Sequence, residues 1–238
     1  SKNWQFKALD SLDWKAATVP GNIFTDLLTH KVIEDPFVKS NEEKVQWVSK
    51  KNWEYKTTFT LSAEILKKEN LELIFEGLDT YAKIYINGNY QLDNDNAFRK
   101  YSISLKRIPI KESNEMRIVF QNTPSFENAA KQNSKYELPE GNRIYTRKAQ
   151  FQYGWDWGPK LNTSGIWRPV TLNAWNDFKI KSIQIKQATL EKDKAVLIID
   201  LETKNIVITD LSFDIYVNDS LTKTLENLPL IHPSIRPL

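Results

Sequence analysis

Cysteine is absent from the chain, which excludes disulfides, zinc–thiolate centres and cysteine nucleophiles and leaves the redox compartment open. Histidine occurs only at His30 and His232, in different parts of the chain, so neither a Ser-His-Asp triad nor a multi-histidine metal site is expected. Glycine is scarce, with seven in 238 residues, and neither a Walker A loop nor a Gly-x-Gly-x-x-Gly fingerprint occurs; no cofactor is expected. No apolar run approaches the roughly 20 residues of a membrane-spanning helix, and no signal peptide is visible at Ser1. Neither sign of charge dominates. The 33 basic and 30 acidic residues are interspersed, and Lys50-Lys51 and Lys67-Lys68 are short solvated pairs. Nucleic-acid binding would need a basic stripe or patch, so no nucleic-acid partner is expected.

Aromatic residues are abundant: 8 Trp, 9 Tyr and 11 Phe. Such side chains fit pleated, half-buried surfaces and favour an all-β fold, and their faces also suit the axial C–H groups of a pyranose. Strand patterns dominate. Tyr55 to Leu61 alternates apolar and polar residues, and Leu71–Phe75, Ala82–Asn87, Tyr101–Leu105 and Met116–Phe120 read likewise. Asn87-Gly88 follows one such run, and both residues accept positive φ, which predicts a tight type I′ hairpin. Three short helices are predicted: Asn22–Thr29 behind a cap at Asn22, Ala63–Glu69 capped by Ser62, and Phe126–Gln132 capped by Ser125. Strand-rich stretches with isolated helical turns predict a β-sandwich of jelly-roll type.

The texture changes near Asn176-Asp177. Phe178–Ala188, Ala195–Glu202 and Leu211–Val217 predict longer strands, with turns at Asp193-Lys194 and Asn218-Asp219. The expected division is therefore 1–176 and 177–238. The second part holds only about 60 residues, against roughly 100 for an immunoglobulin-like sandwich, and reads as cut short. Pro229, Pro233 and Pro237 in the tail exclude central-strand pairing there.

Two local patterns carry little. Asp93-Asn94-Asp95-Asn96 begins like a calcium loop, but Ala97 and Phe98 fall where an oxygen ligand and the turn glycine belong, so no metal site is expected. Asn162-Thr-Ser164 and Asn218-Asp-Ser220 fit the glycosylation sequon, a common pattern.

The most distinctive stretch is Arg147-Lys-Ala-Gln-Phe-Gln-Tyr-Gly-Trp-Asp-Trp-Gly-Pro159. Gly154 and Gly158 permit a sharply turned backbone, and Pro159 prevents ordinary helix or ladder pairing. Between them stand Trp155, Asp156 and Trp157. An indole supplies an apolar platform that excludes water, and a carboxylate accepts two sugar hydroxyls in charge-assisted bonds. The residues alone equally allow two core indoles, with Asp156 capping a turn or pairing with Arg143 or Arg147.

Several segments in order resemble family 2 glycoside hydrolases. Val19-Pro-Gly-Asn-Ile-Phe-Thr-Asp-Leu-Leu28 resembles an early "VPG…DLL" segment, and Trp53-Glu-Tyr55 is similar to a strand-opening W-x-Y. Phe75-Glu-Gly-Leu-Asp79 through Asn87-Gly88 is similar to an F-x-G-(L/V)-D…NG hairpin, and Gly165-Ile-Trp-Arg-Pro-Val170 resembles a G-I-(W/Y)-R-x-V closing strand. The Gly154-Trp-Asp-Trp-Gly-Pro159 run resembles the β-mannosidase branch rather than β-galactosidase or β-glucuronidase. The resemblance covers the chain to about residue 175.

This resemblance implies a jelly-roll, galactose-binding-like domain, then an immunoglobulin-like sandwich, of which only part is present, then a (β/α)8 barrel. The barrel carries the two glutamates that hydrolyse terminal β-mannosides with retention. It further implies that Asp156 holds hydroxyls of the terminal sugar, with Trp155 lining the pocket and Trp157 buttressing it. The expected partners are a β-mannoside or manno-oligosaccharide and the barrel of the same protein. This chain has no βα repeats in which to place a catalytic pair, so no catalytic residue is assigned and the chain alone is expected to be inactive. The sequence leaves the compartment open: periplasmic or secreted in a bacterium, lysosomal in a eukaryote. Three other readings stand beside the β-mannosidase one: part of another family 2 glycosidase such as a β-galactosidase or β-glucuronidase, a free-standing lectin-like module, and an adhesion or structural sandwich whose indoles are core.

Overall fold

The computed structural model describes residues 3–136, 139–204, 213–217 and 220–225. It divides into two compact units, Ser1–Ala174 and Trp175–Leu238. In chain order the first contains β1 (Gln5–Ala8), β2 (Lys15–Ala16), α1 (Ile23–Thr29), α2 (Asn41–Lys44), β3 (Trp53–Thr60), α3 (Ala63–Leu66) and β4 (Asn70–Phe75). Then follow β5 (Ala82–Ile86), β6 (Asn89–Asn94), β7 (Tyr101–Ser104), β8 (Ser113–Phe120), α4 (Thr123–Asn133) and β9 (Val170–Trp175), of which all but the last residue belongs to the first unit.

The strands form two sheets. One has the order β2-β1-β3-β8-β5-β6, and the other β7-β4-β9. Each neighbouring pair of the larger sheet is antiparallel, as is β4 with β7. The core follows from the two-residue period of a strand. Trp53, Tyr55 and Thr57 of β3 are buried, as are Met116, Ile118 and Phe120 of β8 and Ala82, Ile84 and Ile86 of β5. Tyr55 and Ile84 flank Ile118 in register, so one row crosses the sheet centre. Leu71, Leu73, Phe75 and Ile103 of the smaller sheet join the same apolar cluster. The fold is the all-β sandwich that the alternation predicts.

Local chemistry sets the elements. Asn22 caps α1 by accepting the Phe24 and Thr25 amides, while the Thr25 hydroxyl donates back to the Asn22 carbonyl at 2.7 Å. Ile23, Phe24 and Leu27 then face the core. Asn87 and Gly88, at φ 49° and 78°, close the β5–β6 hairpin as predicted.

Three expectations need correction. The helix placed at Phe126–Gln132 begins at Thr123, because the Asn122 side chain takes the Ser125 amide at 3.1 Å and Pro124 is tolerated in a first turn. Ser125 is therefore inside the helix, not its cap. The helix behind Ser62 ends at Leu66, three residues before Glu69. The closing strand starts only at Val170, since Gly165 adopts φ 152° and Pro169 has no amide hydrogen for a ladder.

In the second unit, β10 (Lys179–Leu190) pairs antiparallel with β11 (Ala195–Lys204), and β12 (Phe213–Val217) with β13 (Ser220–Leu225). Glu191 donates its amide to the Lys194 carbonyl at 2.7 Å, which closes the turn predicted at Asp193-Lys194. Shifts of register at Ile180/Ser182 and Gln187/Thr189 interrupt the strict alternation of β10. Leu211, the turn at Asn218-Asp219 and the proline-bearing tail lie outside the described residues.

Candidate functional site

The Trp155–Trp157 stretch forms a tight turn. The Trp155 amide donates to the Gly158 carbonyl at 3.1 Å and the Gly158 amide returns a bond to the Trp155 carbonyl at 3.2 Å. Asp156 and Trp157 are thereby left at the tip. Gly154 enters the turn at φ 92°, a backbone conformation that favours glycine, and a Cβ there would lie in tight contact at 3.3 Å from the Lys160 Cβ. Trp155 and Trp157 are 52% and 77% exposed, and Asp156 is exposed too. The indoles are therefore not core. Asp156 has no hydrogen bond or ion pair among the described residues. Arg143 is paired with Glu140, and its guanidinium carbon lies 5.9 Å from the Trp155 ring centre.

Among the described residues the turn is unpartnered at its tip but fastened at its root. On the incoming side, Gln152 Nε2 donates to Asp79 Oδ2 at 2.9 Å, while Gln152 Oε1 accepts the Thr163 amide at 3.1 Å. The next residue, Tyr153, donates its hydroxyl to Glu127 of α4. On the outgoing side, the Lys160 amide donates to Glu42 Oε1 of α2 at 2.8 Å, and Gln46 Nε2 donates to the Lys160 carbonyl at 2.9 Å. Asp79 and Glu127 are each 4% exposed.

Asp79 is itself held from several directions. It exchanges both backbone bonds with Gly165 at 2.9 Å and accepts the Thr80 hydroxyl. Its Oδ1 lies 3.3 Å from the Lys148 ammonium, which also donates to Asn162 Oδ1 and the Thr163 carbonyl, both at 2.7 Å. The Lys148 side chain is fully buried. Burial pushes its ammonium pKa down, and Asp79 opposes that shift. Burial and the adjacent Glu127 carboxylate push the Tyr153 phenol far above its ordinary value.

The sequence segments that carry the family resemblance converge beside this network. Gly21 donates to the Ile166 carbonyl at 2.9 Å, Ile23 to Ser164 at 2.9 Å, and Glu76 to Pro169 at 3.1 Å. Sequence reasoning singled out Trp155, Asp156 and Trp157, and the turn brings them together. It did not find Glu42, Gln46, Glu127, Lys148, Gln152 or Tyr153 as supports. Asp79 stood within a quoted motif, but the bonds from Glu42 and Gln46 cross more than a hundred positions and leave no local pattern.

Among the described residues, no three His, Asp or Glu side chains group as a metal site would require. Within the stretch read against a calcium loop, Asp93 pairs with Lys83, Asn94 donates to the Leu78 and Thr80 carbonyls, and Asp95 accepts the Tyr101 hydroxyl. No helix among the described residues is long and apolar enough to cross a membrane.

The sequence model for the glycosyl hydrolase 2 galactose-binding domain-like family matches residues 4–168. The chain is 36% identical over 184 residues to β-mannosidase B of Thermothelomyces thermophilus, covering 73% of this chain and 21% of that one. It is 32% identical over 171 residues to β-mannosidase of Mus musculus, covering 67% and 19%. The crystal structure of β-D-mannosidase from Dictyoglomus thermophilum superposes with a TM-score of 0.88 at 34% identity, covering 95% of this chain and 29% of that one. The chain thus spans about a fifth of the length of the curated relatives it matches. On the extent of the sequence match and the shared fold, this chain belongs to the glycosyl hydrolase 2 galactose-binding domain-like family.

Proposed function

We propose that this chain is the non-catalytic front part of a retaining, exo-acting β-mannosidase and that its Trp155–Trp157 turn recognises the terminal sugar. One observation carries the reading: Asp156, exposed and without a partner among the described residues, stands between two exposed indoles on a turn whose root is fastened. Asp156 accepts two hydroxyl hydrogens of the terminal mannose, Trp155 lines the apolar face of the ring, and Trp157 buttresses the pocket. The relatives' names and the small share of their length that the chain spans support placing the chemistry elsewhere in the parent protein. Retaining hydrolysis needs two carboxylates about 5 Å apart flanking the scissile bond, and a (β/α)8 barrel of the parent supplies them. In this reading 1–176 is the jelly-roll domain and 177–238 begins an immunoglobulin-like sandwich, a view favoured by the paired hairpins of the second unit.

Steady-state hydrolysis of an aryl β-mannoside by the full-length enzyme tests the assignment. Hydrogen bonds to a charged group contribute about 1.5–3 kcal/mol each, so Asp156→Ala lowers kcat/KM by ~10²- to 10⁴-fold. Unchanged turnover rejects the role of Asp156. Millimolar binding of methyl β-mannoside by the 238-residue chain alone, lost in Asp156→Ala, would instead identify a free-standing carbohydrate-binding module.

A further inference from the structure

We propose that Asp79 and Glu127, acting through Gln152 and Tyr153, are positioning residues that set the Trp155–Asp156–Trp157 turn in its binding geometry before any sugar arrives. The inference rests on the sugar-recognition reading above and adds the device that makes the site ready-made. Two consecutive side chains immediately before Gly154 reach two different buried carboxylates, one following β4 and one on α4. Because these carboxylates are withdrawn from water, a lost partner is not replaced by solvent, and the bonds are correspondingly selective for one loop position.

Gln152 is fixed at both ends of its amide. Nε2 faces Asp79 and Oε1 faces the Thr163 amide, so turning the amide over would oppose an acceptor to an acceptor and a donor to a donor. Asp79 has no slack to follow a moving loop, since Gly165, Thr80 and Lys148 hold it. The bonds from Glu42 and Gln46 fasten Lys160 on the far side. Six residues, Gly154 to Pro159, therefore project from two anchored ends, with an internal pair of backbone bonds between Trp155 and Gly158. Such preorganisation lowers the ordering cost of binding.

The test reads loop geometry in the 238-residue chain labelled with 5-fluorotryptophan. Of the 8 tryptophan fluorine lines, Trp155→Phe and Trp157→Phe assign two. In Gln152→Ala those two lines shift and broaden while the others hold position. Asp79→Asn combined with Gln152→Glu moves the carboxylate across the bond, keeps a donor facing an acceptor, and returns the two lines towards their original shifts. Tyr153→Phe, which removes only the hydroxyl that reaches Glu127, perturbs the same two lines and preserves the test should the paired exchange not fold. Unmoved Trp155 and Trp157 lines in both Gln152→Ala and Tyr153→Phe overturn the proposal. So does a common shift of every line, which would mark a general loosening. The fluorine lines report no sugar binding, so failure here leaves the Asp156 assignment standing, and loss of that assignment leaves the anchored turn standing.

Discussion

The indole of Trp167 occupies the space that a side chain at position 77 would need. A Cβ on Gly77 would stand 2.6 Å from Trp167 Nε1 and 2.9 Å from its Cε2. The ring cannot retreat freely, because Nε1 donates to the Ala97 carbonyl at 2.9 Å. Two segments of the family resemblance, around Phe75 and around Gly165, are thus linked by one steric contact. Gly77→Ala should destabilise the first unit by about 1–3 kcal/mol, the usual range for overpacking. Urea unfolding followed by circular dichroism checks this; a wild-type midpoint would show that the indole yields easily.

Lys148 offers a second test. Its buried ammonium bridges Asp79, Asn162 and the Thr163 carbonyl. Replacing it with methionine keeps the stem and strands the carboxylate, so Lys148→Met should cost about 3–5 kcal/mol. Adding Asp79→Asn removes the stranded charge, and the double variant should be more stable than Lys148→Met alone. A strictly additive double-mutant cycle by chemical denaturation would count against the pair.

Asp26 predicts a pH dependence. Its carboxylate is buried in α1, accepting the Thr18 amide at 2.8 Å and the Tyr55 hydroxyl at 3.0 Å, and burial raises its pKa above the ordinary value. The folded state then holds this proton more tightly than the unfolded state. Its contribution to stability is full below the unfolded pKa and declines as pH rises through the folded one. Asp26→Asn removes that decline, so its stability relative to wild type should improve from about pH 4 upwards. Thermal melts across that range measure the difference, and a constant difference would contradict the shift.

The exposed turn predicts a separation of stability from function. Trp155, Asp156 and Trp157 face solvent, and surface substitutions away from special features usually change stability by less than about 0.5 kcal/mol. Asp156→Ala and Trp157→Ala should therefore melt like the parent chain. A large loss of stability in either would return these side chains to a structural role.

Much of the sandwich was legible because a strand writes its burial into every second residue, as in Ala82-Lys-Ile84-Tyr-Ile86. The turn, though not its exposure, was legible because glycines and a proline bracket an unusual Trp-Asp-Trp run. Its supports were not. Tyr153 and Glu127 are joined only once the chain has folded back, and a lysine at position 148 reads as surface until Asp79 and Asn162 enclose it. The start of α4 was missed for a smaller reason: Asn122 and Ser125 are both good caps, and only the bond from the Ser125 amide to the Asn122 side-chain oxygen decides between them.

The enclosure of Asn162 bears on how the protein is made. Asn162 opens an Asn-Thr-Ser sequon, yet it is 6% exposed and its side-chain oxygen receives the Lys148 ammonium. An oligosaccharide could be attached there only to a chain that has not finished folding, and once attached it would keep the lysine from its seat. Production through a eukaryotic secretory route therefore sets glycan transfer in competition with folding at this asparagine, whereas a host without that transfer machinery avoids the contest.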